Sequence, residues 1–166
     1  MVSLLDRPTA EDVLAWLGDV PDPEIPAVSV IDLGIVRNTE WRGDEMVVTV
    51  TPTYSGCPAT SVIALDIAEE IRKRGIEKVK VETQLSPAWT TKWITPEARE
   101  KLRQYGIVPP VEGASCAGAL KTSGLIACPR CDSTSVECIS QFGSTPCKAQ
   151  YRCTDCLEPF DYFKGF

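Results

Sequence analysis

The chain contains no histidine, and that absence excludes whole classes of chemistry. Ser-His-Asp hydrolysis, Cys-His proteolysis and every metal site built on imidazole are ruled out. Any general base has to be Asp, Glu, Lys, Tyr or a thiolate. Long apolar runs are missing too: nothing approaches the ~18 consecutive apolar residues of a membrane span. The stretch Met1 to Ala10 carries Asp6 and Pro8 where a secretory signal would hold its apolar core. The chain is therefore expected in the cytoplasm and off the membrane. Basic clusters are reduced to Arg72-Lys73-Arg74, at the end of a predicted helix, where cations suit the dipole. With a net charge of −6, nucleic acid and anionic lipid are poor partners. The ferredoxin spacing C-x4-C-x2-C and the GxGxxG dinucleotide fingerprint are absent as well.

What the chain does have is cysteine, eight of them. In a reducing compartment these point to metal ligands or reactive thiols rather than disulfides. Cys57 and Cys116 come early, and the rest lie within 128–166. There CPRC (128–131) and CTDC (153–156) are paired C-x2-C knuckles, with residues 132–152 between them. Two such turns bring Cys128, Cys131, Cys153 and Cys156 into the tetrahedron zinc prefers in structural sites. A zinc ribbon is expected, with hairpin strands over 136–142 and 150–152. Rubredoxin-like iron uses similar knuckles and stays open. A module this short needs such a staple, because its own apolar core would be too small.

The module sets Arg130, Lys148, Arg152 and Lys164 against Asp132, Glu137, Asp155, Glu158 and Asp161. Four thiolates around zinc add further negative charge, which favours a ribbon that faces protein rather than nucleic acid. The tail EPFDYFKGF either packs its aromatics on the ribbon or offers them to a partner. Cys138 reads as a small packing residue. Cys147 reads as an extra thiol, a spare ligand or a redox group. Cys116 has no assigned role.

Upstream, the pattern predicts α-β-β-α-β-α. Thr9 caps a helix whose stripe is Val13, Leu14, Trp16 and Leu17. PDPEIP (21–26) forces an extended loop, and 28–36 reads as a strand, or a strand after a turn, broken at Gly34. MVVTVT (46–51) is a central strand candidate. A helix is expected from about Pro58 to Arg74, with Val62, Ile63, Ile67 and Ile71 on its apolar face. VKVET (79–83) alternates as a strand, and Thr95-Pro96-Glu97 opens the last helix. The fold class is α+β. A small α/β sandwich (1–106), with one helical layer on a short sheet, leads through a Gly/Ala/Pro/Ser-rich linker (107–127) to the ribbon (128–166).

Cys57 lies in TPTYSGCPAT. With Pro58 at the first helical position, Cys57 would be the N-cap, where free N–H groups and the dipole lower a thiol pKa. Such a thiol can attack an electrophile or bind a soft metal. Burial behind a strand as a structural cysteine is the alternative on spacing alone.

DPEIP (22–26), DLGIV (32–36) and TPTYSGCPAT (51–60) together resemble the metal-sulfur cluster assembly factor family, SufT-like proteins included. SPAWTTKWIT (86–95), KLRQYGIVPP (101–110), CPRC, FGSTPCKAQYRC (142–153) and EPFDYFK (158–164) narrow the resemblance to its PaaD group. That group is associated with the phenylacetyl-CoA epoxidase of aerobic phenylacetate degradation, a multicomponent di-iron monooxygenase. The resemblance implies an accessory subunit, not an enzyme, that helps mature or insert a metal centre, such as the reductase's two-iron iron–sulfur cluster. It implies that Cys57 is a transient iron or cluster ligand, within a motif that also holds Asp22, Glu24, Asp32 and Thr53. The partners it implies are the reductase or oxygenase subunits, with a homodimer as a way to complete a two-cysteine site. Lacking histidine, the chain cannot supply the paired Glu-x-x-His ligands of a di-iron oxygenase. The alternatives are a structural adaptor that tethers epoxidase components through its ribbon, and a thiol enzyme with Cys57 as nucleophile.

Overall fold

A computed structural model describes residues 7–111 and 125–165. The chain forms two compact units, Met1–Trp89 and Thr90–Phe166. Cys116, Phe166 and most of the expected linker lie outside the described residues.

The first unit opens with α1 (Ala10–Trp16), fixed by a reciprocal cap. Thr9 Oγ1 accepts from the Asp12 N–H at 3.1 Å, and the Asp12 carboxylate accepts from the Thr9 N–H at 2.8 Å. β1 (Val36–Arg42) and β2 (Glu45–Val50) form an antiparallel hairpin, and β3 (Val79–Thr83) pairs parallel to β2. The strand order is β1-β2-β3. The tight turn between β1 and β2 holds Gly43 at φ 69°, which a residue with a Cβ adopts only with strain. As the apolar run 46–50 predicts, β2 is central, with Met46, Val47, Val48 and Val50 all buried. Between β2 and β3 runs α2 (Thr60–Lys73), which buries Ile63, Ile67, Ala68 and Ile71. Val62, expected on that face, is instead 43% exposed. It lies about 100° around the helix from Ile63.

Of the two readings of 28–36 the structure follows the turn: 30–34 are turns, Ser29 makes only an isolated bridge to Pro21, and β1 begins at Val36. The reason is local. Ser29 Oγ accepts from the Asp32 N–H, and Asp32 Oδ2 accepts from the Ser29 N–H, so the side chains satisfy backbone donors that a strand would need.

The second unit begins with the segment leading to α3 (Pro96–Gln104), which has Thr95 as N-cap and Pro96 in its first turn. It continues with β4 (Ile107–Val108), β5 (Val136–Ser140), β6 (Lys148–Cys153) and β7 (Pro159–Phe163), in the order β4-β7-β6-β5. The sixth element of the expected sandwich thus belongs with the ribbon. The division falls at 89/90 rather than 106 because Ile107 and Val108 pair with Asp161 and Tyr162 in the ribbon's own sheet. The aromatic tail is β7, and Phe160, Tyr162 and Phe163 are buried. Tyr151 stacks on Phe160 and meets Tyr162 edge-on. No helix among the described residues is long and apolar enough to cross a membrane.

Candidate functional site

In the first unit, β2 and β3 run parallel, so the segments that follow them leave the same end of the sheet. The Thr51 N–H donates to the Ile35 carbonyl at 2.8 Å, and the Gln84 N–H donates to the Val50 carbonyl at 2.8 Å. The Trp89 indole N–H donates to the Leu33 carbonyl at 2.8 Å, buried. Hydrogen bonds therefore tie DLGIV, the Cys57 loop and the segment after β3 to one end of the unit.

Cys57 is half-buried there. Its N–H donates to the Tyr54 carbonyl, and its own carbonyl accepts from both the N–H and the hydroxyl of Thr60. That turn delays the helix: α2 starts at Thr60 with Ala59 as cap, so Cys57 is not its N-cap. The expected low thiol pKa is reversed as well. Burial pushes the thiol above its ordinary value, and the carboxylates of Glu24 and Asp22 add to this. The Ala59 N–H and the Thr60 side chain, close to the sulfur, pull the other way. A thiol held protonated in this way is a poor spontaneous nucleophile, which removes the main support for a thiol enzyme. The carboxylates that disfavour a lone thiolate favour one that binds a cation.

The remaining motif residues divide by role. Asp22 is buried, and its Oδ1 accepts from the N–H groups of Glu24 at 2.9 Å and Ile25 at 2.8 Å. It thus shapes the loop that carries Glu24. Asp32 is occupied in the turn with Ser29. Thr53 is buried. The buried Thr51 hydroxyl has no hydrogen-bond partner among the described residues. Thr60 and Trp89 are the site-shaping residues that sequence reasoning passed over. An indole before a strandless segment, and a threonine two residues after a Cys-Pro, were the available signals.

In the second unit, the sulfurs of Cys128, Cys131, Cys153 and Cys156 all lie within 4.8 Å of one another. Cys128 and Cys156 are 3.7 Å apart, and Cys131 and Cys153 are 3.6 Å apart. A zinc–sulfur bond of about 2.3 Å in a tetrahedron gives sulfur separations of about 3.8 Å, so the donor set fits zinc. Each knuckle turns a backbone N–H onto a sulfur, from Arg130 to Cys128 and from Cys156 to Cys153. Each also puts the residue after its second cysteine at positive φ, Asp132 at 58° and Leu157 at 62°. These four cysteines would hold the ion, which would join the two knuckles as a structural crosslink. Cys147 stands outside the group, buried, with its sulfur 3.0 Å from the Thr145 hydroxyl. Cys138 packs at the edge of the ribbon core.

Residues 10–83 match the family model described as iron-sulfur cluster assembly protein, and residues 113–164 match that described as PaaD zinc beta ribbon domain. An Escherichia coli (strain K12) protein, named as one of the subunits of a "Putative 1,2-phenylacetyl-CoA epoxidase", is 52% identical over 95% of this chain and 93% of its own length. The chain belongs to the PaaD family. The first unit alone has wider kin. A Porphyromonas gingivalis protein named "Fe-S protein maturation auxiliary factor" is 36% identical over 57% of this chain and 90% of its own. A crystal structure from Bacillus anthracis, of a domain of unknown function called DUF59, superposes with a TM-score of 0.52 at 26% identity. It covers 56% of this chain and 90% of that one. PaaD proteins thus join an iron–sulfur assembly domain to a ribbon that the shorter relatives do not span.

Proposed function

We propose that this chain is a non-catalytic accessory subunit of a phenylacetyl-CoA epoxidase system, and that it matures an iron–sulfur centre. Cys57 takes up iron or a cluster as cargo and passes it to a client, the reductase with its two-iron cluster. Uptake of a ferrous ion forms one sulfur–iron bond, and the thiol proton leaves to water. Glu24 and Asp22 supply the negative field that makes the site prefer a cation. The observation that carries this reading is the half-buried thiol, raised by burial and by the charge of those carboxylates, in a domain of the iron–sulfur assembly family. One protein thiol leaves most of the metal's coordination to other donors, and such a site can release its cargo, unlike a closed four-thiolate site. The four ribbon cysteines hold zinc and do no chemistry. The names of the two relatives support the assignment.

The test is anaerobic reconstitution of the wild type beside Cys57→Ser, with zinc and iron quantified and the visible spectrum recorded. The expected result is zinc retained in both, with an iron chromophore only in the wild type that passes to the apo-reductase. If neither protein takes up iron, the transfer reading falls, and the structural adaptor takes its place.

A further inference from the structure

Gly56 is bonded to Cys57, and the fold around it does not require a glycine there. The Cys57 N–H closes a turn onto the Tyr54 carbonyl at 3.2 Å, with Ser55 and Gly56 at the two central positions. Turns of types II and I′ demand a left-handed residue at the second of these, and so favour glycine. Gly56 lies outside that region of φ, unlike Gly43 in the β1–β2 turn. Space is not the reason either. Beyond its chain neighbours, an added Cβ would meet only ring carbons of Tyr54, at 3.9 and 4.0 Å, which is ordinary van der Waals contact. Residue 56 is exposed. A glycine that neither conformation nor packing requires weakens a fold, because it enlarges the unfolded ensemble.

We infer that Gly56 sets the access to Cys57: its missing side chain keeps open the approach of the acceptor's ligand to the metal on the sulfur. Cys57 is half-buried, so its sulfur is reached from a limited range of directions, and the exposed turn that ends at Cys57 borders them. Consecutive Cα atoms stand about 3.8 Å apart, so a side chain at 56 would begin beside that approach. The inference rests on the transfer function proposed above and names its acceptor by chemistry, a protein that presents cysteine thiolates. Transfer is a ligand exchange. An acceptor thiolate forms a bond to iron, the bond from the Cys57 sulfur breaks, and the freed thiolate takes up a proton from water. No electrons change hands.

The experiment uses the full chain as wild type, Gly56→Ala, Gly56→Val and the control Gly18→Ala. Gly18 is also exposed, lies outside the left-handed region and has nothing within 4 Å of an added Cβ. Labelling of Cys57 is followed by peptide-level mass spectrometry at one pH, with iodoacetamide and with a pyrene-bearing maleimide. Any change in the thiolate fraction alters both rates alike, so their ratio reads access alone. Gly56→Val is expected to slow the bulky reagent at least tenfold and the small one far less, with Gly56→Ala in between. Iron transfer to the apo-reductase should fall in the same order, while Gly18→Ala behaves as the wild type in every measurement. The urea midpoints of both alanine variants should be unchanged or raised. A lower midpoint in Gly56→Ala alone would make the glycine a requirement of the fold and overturn the inference. Equal slowing of the two reagents, or of neither, overturns it too, as does normal iron transfer by Gly56→Val. If the labelling ratio changes as expected but the wild type passes no iron to the apo-reductase, the transfer function falls and the control of access by Gly56 stands.

Discussion

The indole of Trp89 donates its N–H to the carbonyl of Leu33, 56 residues earlier in the chain, and both groups are buried. This bond ties the segment after β3 to the DLGIV turn, and the Cys57 loop is bonded to the same turn through Thr51 and Ile35.

Trp89→Phe keeps most of the ring volume and deletes the donor, leaving the Leu33 carbonyl buried without that partner. A loss of about 1–3 kcal/mol is expected. Urea denaturation checks this, and the zinc content should not change. An unchanged midpoint would mean that water replaces the indole.

The thiol of Cys57 should alkylate slowly. Burial raises its pKa above the ordinary value for a thiol, so the thiolate fraction at pH 8 is smaller than for a free cysteine. Peptide-level mass spectrometry of iodoacetamide labelling should place the midpoint above that of a free cysteine, because burial and the Glu24 and Asp22 carboxylates disfavour the thiolate. Glu24→Gln removes a negative charge, lowers the pKa and speeds labelling. The folded state holds this proton more tightly than the unfolded chain does. Its contribution to stability is therefore present at neutral pH and fades as pH rises through the folded thiol's pKa.

Zinc removal should act on one unit only. Chelation, or Cys128→Ser, is expected to abolish the ribbon's near-ultraviolet signal from Tyr151, Phe160 and Tyr162, because the ion would crosslink the two knuckles. The helical signal of α1 and α2 should persist. Loss of both together would show that the units fold as one.

Asp22→Ala strips an acceptor from two backbone N–H groups. About 1–3 kcal/mol of stability should go, along with the position of Glu24. Asp22→Asn should recover part of the stability, since its amide oxygen still accepts. Equal stability of the two variants would mean that charge, not acceptor geometry, matters here.

The ribbon was legible because its signal is local. Two C-x2-C turns announce their geometry without reference to the rest of the chain, and β2 and α2 announced themselves by composition. The start of α2 is harder to read, because Pro58 suits a first helical turn while the three-residue turn that Thr60 closes onto the Cys57 carbonyl competes with it. The direction of the Cys57 shift was beyond sequence reasoning for a different reason. Asp22 and Glu24 stand more than thirty positions away in the chain, and only folding sets their charge beside the sulfur. Residues 28–35 left two readings open: their apolar content suggests a strand, but Ser29 and Asp32 bond each other's backbone instead, which selects the turn.

The strand β4 has a topological consequence. It joins the ribbon's sheet beside β7, and Val108 shares a core with Ile126, Cys128 and Cys153. The described residues immediately on both sides of 112–124 therefore belong to one sheet and one core, Val111 included, rather than to two separate modules. Were the backbone severed within 112–124, the fragments would remain associated by strand complementation. A chain begun at Cys128 would expose an unsatisfied edge along β7, an invitation to self-pairing that the intact protein avoids.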